Sequence, residues 1–167
     1  MALNNKDVFY VNAFSEKIRF VYDGNPRAYF GKDNEIDHVT NSSGFRGKEF
    51  SFSKPKDTFR IAFIGDSFTF GEGVRLEDTY VEKVSAILSE KFKNPGPKFE
   101  SYNFGVGGYN TTQELFLLKN IALQAKPDIV VVGYTLNDAE GPLLRLDPLT
   151  GNILRKPIEE SNLEAHR

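Results

Sequence analysis

Three strand-like runs in this chain each end at groups that acyl transfer needs. Ser67 closes Ile61-Ala62-Phe63-Ile64-Gly65-Asp66-Ser67. Gly105, Gly107 and Gly108 follow the second run in Asn103-Phe104-Gly105-Val106-Gly107-Gly108-Tyr109-Asn110, and Asn137 follows the third in Leu136-Asn137-Asp138. A serine hydroxyl can attack a carbonyl carbon, and backbone N–H groups of a glycine loop together with a carboxamide can hold the oxyanion that develops. Losing one such donor typically costs ~10²–10³ in turnover, so the amide and the glycine loop matter nearly as much as the serine. Each piece has a plainer reading when taken alone. Gly65-Asp66-Ser67 is ordinary turn chemistry, a glycine-rich turn after a strand is commonly structural, and Asn137 suits any turn. The glycines match a dinucleotide loop only loosely, because Asn110 stands where the third glycine belongs. There is no Gly-x-Ser-x-Gly, so the nucleophile elbow of α/β-hydrolases is not indicated. The case rests on three matched pieces at three successive strand ends.

The elements that would position them follow from hydrophobic periodicity. The pattern predicts strands over about 59–64, 98–104 and 129–134, with a helix over about 77–93 whose Val81, Val84, Leu88 and Phe92 form one apolar stripe. Pro95-Gly96-Pro97 ends that helix. A second helix is expected from Thr111, where Thr111-Thr112-Gln113-Glu114 fits a capping box and Leu115, Leu118, Ala122 and Ala125 form the inner face. Strand, helix, strand, helix, strand with short connections means parallel strands joined by right-handed crossovers, so all three strands end on one edge. Open α/β sheets place their ligands and reactive groups at that edge. Residues 1–57 read as an irregular, aromatic-rich extension of hairpins and loops packed on the 58–167 core, broken by Asp23-Gly24-Asn25-Pro26 and Asn41-Ser42-Ser43-Gly44.

The bulk numbers narrow the function classes. At 167 residues with 40% hydrophobic and 26% charged content, the chain can bury a substantial core as one domain. A net charge of −2 gives no basic excess for nucleic acid. Cysteine is absent, which excludes disulfides and thiolate metal sites. No apolar stretch approaches the ~20 residues that span a bilayer. No metal or organic cofactor is implied.

In combination the motifs resemble the SGNH/GDSL hydrolase family over about residues 40–140. Gly65-Asp66-Ser67-Phe68 matches its first block, which implies Ser67 as nucleophile with its own N–H in the oxyanion hole. Asn103 with Gly108 matches the second block, implying Gly108 N–H as a donor, and Asn137-Asp138 matches the third, implying Asn137 as the side-chain donor. Asp66 and Asp138 are then supporting residues, with Asp66 shaping the loop and not reacting. The resemblance implies a three-layer α/β/α sandwich around a parallel sheet and a carboxylic ester hydrolase with an acyl-enzyme intermediate. The third block is usually Gly-x-Asn-Asp, and here Thr135 occupies the glycine position while Gly133 comes two residues earlier. Asn41-Ser42-Ser43-Gly44-Phe45-Arg46-Gly47 resembles larger, often extracytoplasmic members, some of which act on acylated carbohydrates. A small-molecule or carbohydrate ester, and a periplasmic or secreted setting, are what that likeness implies.

The family's Asp-x-x-His near the C-terminus has no match. His166 has Leu163 where the aspartate belongs and reads as part of a helix beginning near Glu159, beyond the hairpin-like Leu146–Ile153. His38, beside Asp37, precedes the first core strand and reads as a loop histidine. Asp138 and Glu140 lie nearer the site in sequence, but a carboxylate ordinarily titrates near 4 and is a poor base for serine at neutral pH. An unassisted serine retains only ~10³–10⁴ over water. The expectation is therefore an N-terminal portion of a longer hydrolase, its sheet incomplete at the C-terminal end. The competing readings are a non-catalytic acyl- or carbohydrate-binding module on the same scaffold, and a flavodoxin-like phosphate- or nucleotide-binding domain with the anion at Gly65–Ser67.

Overall fold

Ile61, Ala62, Phe63 and Ile64 are each at most 4% exposed, so this run is covered on both faces, as a central parallel strand must be. The computed structural model describes residues 11–139 apart from 13, 26, 32, 94 and 95, together with the backbone of 144–146 and 153–155. In chain order, β1 (Lys17–Val21) pairs antiparallel with β2 (Glu35–Val39), and β3 (Thr58–Gly65) runs into a single helical turn, α1 (Ser67–Phe70). Then come α2 (Tyr80–Lys91), β4 (Lys98–Gly105), α3 (Thr111–Asn120) and β5 (Ile129–Gly133). A short antiparallel pair, β6 (Leu144–Leu146) with β7 (Ile153–Arg155), matches the hairpin expected there.

The protein is an α/β structure with a three-stranded parallel sheet of order β4-β3-β5. Alternate residues of β3 serve two separate apolar clusters. Ile61 and Phe63 pack with Val81, Val84 and Leu88 of α2, whereas Ala62 and Ile64 pack with Phe104, Leu117, Ala122 and Ala125. Phe45 and Phe50 of the N-terminal segment enter the second cluster, with the Phe45 and Phe104 rings 5.1 Å apart. The order reverses across β3, since β4 lies on one side and β5 on the other. The crevice of an open α/β sheet forms at such a reversal, beyond the carboxyl ends of the strands.

Four local expectations need correction. The capping box of α3 lies one residue earlier than its sequence pattern suggested. Asn110 is the N-cap, its side chain accepts from Gln113 N–H at 3.1 Å, and the Gln113 side chain accepts from Asn110 N–H at 3.2 Å. Asparagine outcompetes the threonines because its side-chain oxygen reaches the third helical N–H from an extended backbone. The inner face rotates accordingly: Gln113, Glu114 and Leu117 are buried while Leu115 is exposed. Likewise Phe92 leaves the stripe of α2 and is half exposed. His38 is not a loop histidine; it lies in β2 and is fully buried.

The strand ends share one unusual feature. Gly105, Gly65 and Gly133 lie side by side across the three strands in one row, and α1 rests on them. A Cβ at Gly65 would meet Thr69 Oγ1 at 2.0 Å, and one at Gly133 would meet it at 2.4 Å. A Cβ at Gly105 would meet the backbone nitrogen of Phe70 at 2.2 Å. By contrast, the nearest atom to a Cβ at Gly107 is 4.0 Å away. Gly105→Ala is therefore expected to destabilise by about 3 kcal/mol or more, because backbone cannot yield as a side chain can. Gly107→Ala should unfold near the wild-type temperature. Thermal unfolding by circular dichroism compares the two, and equal midpoints would show that α1 does not bear on the row.

Candidate functional site

Ser67 is the first residue of α1, directly past the end of β3. A single helical turn cannot hold itself, since nucleation fixes several dihedrals for one hydrogen bond. Its two ends are held from outside. At the N-terminal end Asp66 is the cap, with Oδ1 accepting from Phe68 N–H at 2.9 Å. At the C-terminal end Gly71 takes the left-handed conformation at φ 82°, and the Arg46 guanidinium donates to the carbonyls of Phe70 (3.1 Å), Gly71 and Val74. A cation at a helix C-terminus is electrostatically matched as well. Arg46 is 1% exposed, and burial brings its pKa down from 12.5 to about 10, so it stays charged at neutral pH. The segment Asn41–Gly47 thus has a structural meaning. Asn41 Oδ1 accepts from the N–H groups of Ser43 and Phe45, at 2.9 and 3.0 Å, and shapes the loop that delivers Arg46.

The glycine loop adjoins the serine. Val106 N–H donates to Gly65 C=O at 3.0 Å, tying the loop to the end of β3. Tyr109 N–H returns to Val106 C=O at 3.2 Å, closing a turn whose third residue, Gly108, has φ 77°. That position of a type II turn demands the left-handed region, which explains glycine. A Cβ on Gly107 would lie 4.0 Å from Ser67 Cβ, so the loop and the hydroxyl are neighbours. Among the described residues, no hydrogen bond is made by the N–H of Ser67 or of Gly108. Asn103 holds the loop to the turn, with Nδ2 donating to Thr69 C=O and Oδ1 accepting from Gly105 N–H, both at 2.9 Å.

Asn137 reaches the same turn through Asp66. Its Nδ2 donates to Asp66 Oδ2 at 2.9 Å, so one carboxylate caps α1 with one oxygen and holds Asn137 with the other. An amide nitrogen carries two hydrogens, and the second is not used by Asp66. Asp138 is 2% exposed; its Oδ2 accepts from Thr135 N–H at 2.6 Å and its carbonyl accepts from the Thr111 hydroxyl at 3.0 Å. Both supporting aspartates therefore shape loops. A cleft of about 300 Å³ is lined by Tyr22, Ser67, Phe68 and Glu72. Tyr22 comes from the N-terminal segment, and its hydroxyl would lie 2.8 Å from a Cβ at Gly73.

His38 lies under this site without serving it. Its Nε2 accepts from Gly73 N–H at 3.2 Å, and its ring packs 4.8 Å from Phe20 and 5.5 Å from Phe70. Burial, and then the Arg46 charge, lower its pKa to about 4 against a smaller opposing effect of Asp37, so the ring is neutral at neutral pH. No hydrogen bond joins it to Ser67. His166 and Glu140 lie outside the described residues.

Sequence reasoning missed the roles of Thr135, Arg46 and Glu114. Arg46 stood in a recognised segment without a role, and Glu114 looked like an ordinary capping-box acid. In fact Glu114 is 3% exposed, and its Oε1 has no hydrogen-bond partner among the described residues. Burial, then Asp138 and Asp66, push its pKa from 4.5 up to about 7.

A family model described as GDSL-like Lipase/Acylhydrolase family matches residues 63–161, more than half of the chain. A search of curated proteins finds no match.

A pH prediction follows from Glu114. The raised folded-state pKa means the native state holds a proton that the unfolded chain releases between about pH 4.5 and 7. Wild-type stability is thus full below the unfolded pKa and falls as pH rises through about 7. Glu114→Gln removes this loss, which is worth up to about 3 kcal/mol. Its gain in unfolding temperature over wild type should be small at pH 4.5 and largest at pH 8. A gain that does not grow with pH would refute the assignment.

Proposed function

The chain belongs to the GDSL-like lipase/acylhydrolase family, and we propose that it is a serine esterase or deacylase working through an acyl-enzyme. In this reading Ser67 Oγ attacks the ester carbonyl carbon. The oxyanion is held by the N–H groups of Ser67 and Gly108 and by Asn137 Nδ2. The tetrahedral species collapses as the alcohol leaves with the proton that Ser67 gave up, and water then cleaves the acyl–Ser67 ester, giving its hydroxyl to the acid and a proton back to the serine. The observation that carries the proposal is the shared Asp66 carboxylate, which fixes the turn bearing Ser67 and the amide of Asn137 to one another. The two unused N–H groups beside Ser67 support it further. The fold proposed for the family, a three-layer α/β/α sandwich, is supported by the two apolar clusters that draw on alternate residues of β3. Residues 1–57 are then an extension of that core, since Phe45 and Phe50 pack into it. The substrate class is a small-molecule or carbohydrate ester received in the cleft of Tyr22, Phe68 and Glu72.

One observation favours a second reading, a binding module that holds an acyl or carbohydrate group without turnover. His38, the histidine among the described residues, has its Nε2 lone pair engaged by Gly73 N–H and makes no hydrogen bond to Ser67, and a pKa of about 4 makes it a weak base, so it does not serve Ser67. Intact-mass spectrometry after treatment with a fluorophosphonate separates the two readings. The hydrolase reading expects a single adduct on the wild-type chain and none on Ser67→Ala. In that event His166→Ala shows whether His166 activates the serine. A folded wild-type chain without an adduct would favour the binding module or a hydrolase whose base is not among these residues, and repeating the labelling on an extended reading frame separates those two.

A further inference from the structure

The residue in this site that the family pattern does not supply is Thr135, which stands where a glycine is usual. We propose that Thr135 is a positioning residue whose hydroxyl fixes the plane of the Asn137 carboxamide; the inference rests on the reading of Asn137 as an oxyanion donor. Asn137 is exposed and follows Leu136, which is 90% exposed. The last torsion of an asparagine is broad, so an exposed amide turns easily unless both its ends are held. Here both are held. Nδ2 donates to Asp66 Oδ2 at 2.9 Å, and Oδ1 lies 2.7 Å from the Thr135 hydroxyl. A carboxylate only accepts, so Asp66 dictates that nitrogen faces it and oxygen faces the threonine. Two contacts at opposite ends of the amide set its plane, and thereby where the second Nδ2 hydrogen points; one contact leaves it free to pivot.

Thr135 is itself well anchored. Its N–H donates to Asp138 Oδ2 at 2.6 Å, and its C=O accepts from Asp138 N–H at 3.1 Å. Branching at Cβ restricts its side-chain torsion, so the hydroxyl is presented in one direction. The hydroxyl also lies 2.9 Å from Asp66 Oδ2 and 3.2 Å from Asp138 Oδ1; its single proton serves one acceptor at a time, and Asn137 Oδ1 is nearest. Threonine is accommodated because its backbone avoids positive φ here. The usual glycine is therefore not required by conformation at this position, and the hydroxyl adds a contact glycine lacks.

The test uses the whole chain and two readouts. In ¹⁵N–¹H spectra the Asn137 side-chain NH₂ pair, assigned by its loss in Asn137→Ala, should be shifted from free-amide positions and slow to exchange. Thr135→Ser should preserve it, and Thr135→Val should move it part of the way toward the free position and speed its exchange, since Nδ2 keeps its contact with Asp66 while Oδ1 loses its own. If Thr135→Val folds poorly, Thr135→Ala makes the same comparison. The rate of fluorophosphonate labelling at Ser67, and kcat on an aryl ester at unchanged KM, should fall about tenfold in Thr135→Val, less than outright loss of a donor, and recover in Thr135→Ser. An amide pair in Thr135→Val that stays at its wild-type position and exchange rate would overturn the proposal. A wild-type chain that neither labels nor cleaves esters would count against an activated Ser67 in these residues instead, while the amide pair still decides the Thr135–Asn137 contact.

Discussion

The geometry of this site depends on how closely one helical turn can approach the end of a parallel sheet. Three glycines in a row across β4, β3 and β5 remove every Cβ from the surface on which α1 lies. Thr69 and the backbone of Phe70 occupy the space those side chains would fill. Because α1 sits this low, Asp66 at its start comes within hydrogen-bond distance of residues beyond the end of β5. Asn103 of β4 can then reach Thr69 C=O at 2.9 Å. Raising the turn by the thickness of one methyl group would break both links.

Low seating creates an electrostatic problem that the surroundings answer unequally. Asp66, Asp138 and Glu114 are all at most 3% exposed, and each buried carboxylate must find donors or give up its charge. Asp66 is served by Phe68 N–H and Asn137 Nδ2, and Asp138 by Thr135 N–H. Glu114, facing an apolar cavity of about 120 Å³ among Ile64, Leu115, Leu118 and Val132, has no such donor for Oε1 and drifts toward the neutral form. The buried cations are committed elsewhere, Arg46 to the carbonyls at the other end of α1 and Arg60 to Glu100 and the Ala125 carbonyl. Donors are concentrated where loop geometry must be fixed, and the carboxyl group left over titrates close to neutrality.

Much of this was legible in the sequence, for reasons that differ by element. The strands were, because a parallel strand covered on both faces reads as a short unbroken apolar run, as Ile61–Ile64 does. Ser67, Gly108 and Asn137 were, because they follow strand ends by short connections that leave little freedom of placement. On the α3 face Leu118, Ala122 and Ala125 turn inward as expected, whereas Leu115 is exposed and Leu117 takes the interior. Gln113 and Glu114 are buried polar residues, and hydrophobic periodicity cannot see a buried side chain that is polar. Arg46 escaped for the same reason: a charged residue in a glycine-rich loop looks solvated, and only its tertiary partners 24 or more residues away make it interior. His38 looked like a loop residue because the alternation of β2, with Ile36 and His38 inward and Asp37 outward, is carried by a histidine where a hydrophobe is expected.

The proposed oxyanion donors and the proton acceptor are therefore separable parts of the design. Among the described residues, the contacts that place Ser67, Gly108 and Asn137 come from β3, β4, β5, the loops directly after them and Arg46, and no histidine is hydrogen-bonded to any of the three. In an arrangement of this kind the donors are fixed before any substrate arrives and cost no reorganisation when charge develops. A base, in contrast, adds only to an oxyanion site that already exists, which is why catalysis of ~10³–10⁴ over water survives loss of a triad member. The histidine under the turn illustrates the division. With Nε2 accepting from Gly73 N–H and its pKa held near 4, His38 braces the loop after α1 as a neutral ring. A charged imidazolium there would lose that bond and face Arg46, so the fold favours a histidine that stays uncharged and out of proton transfer.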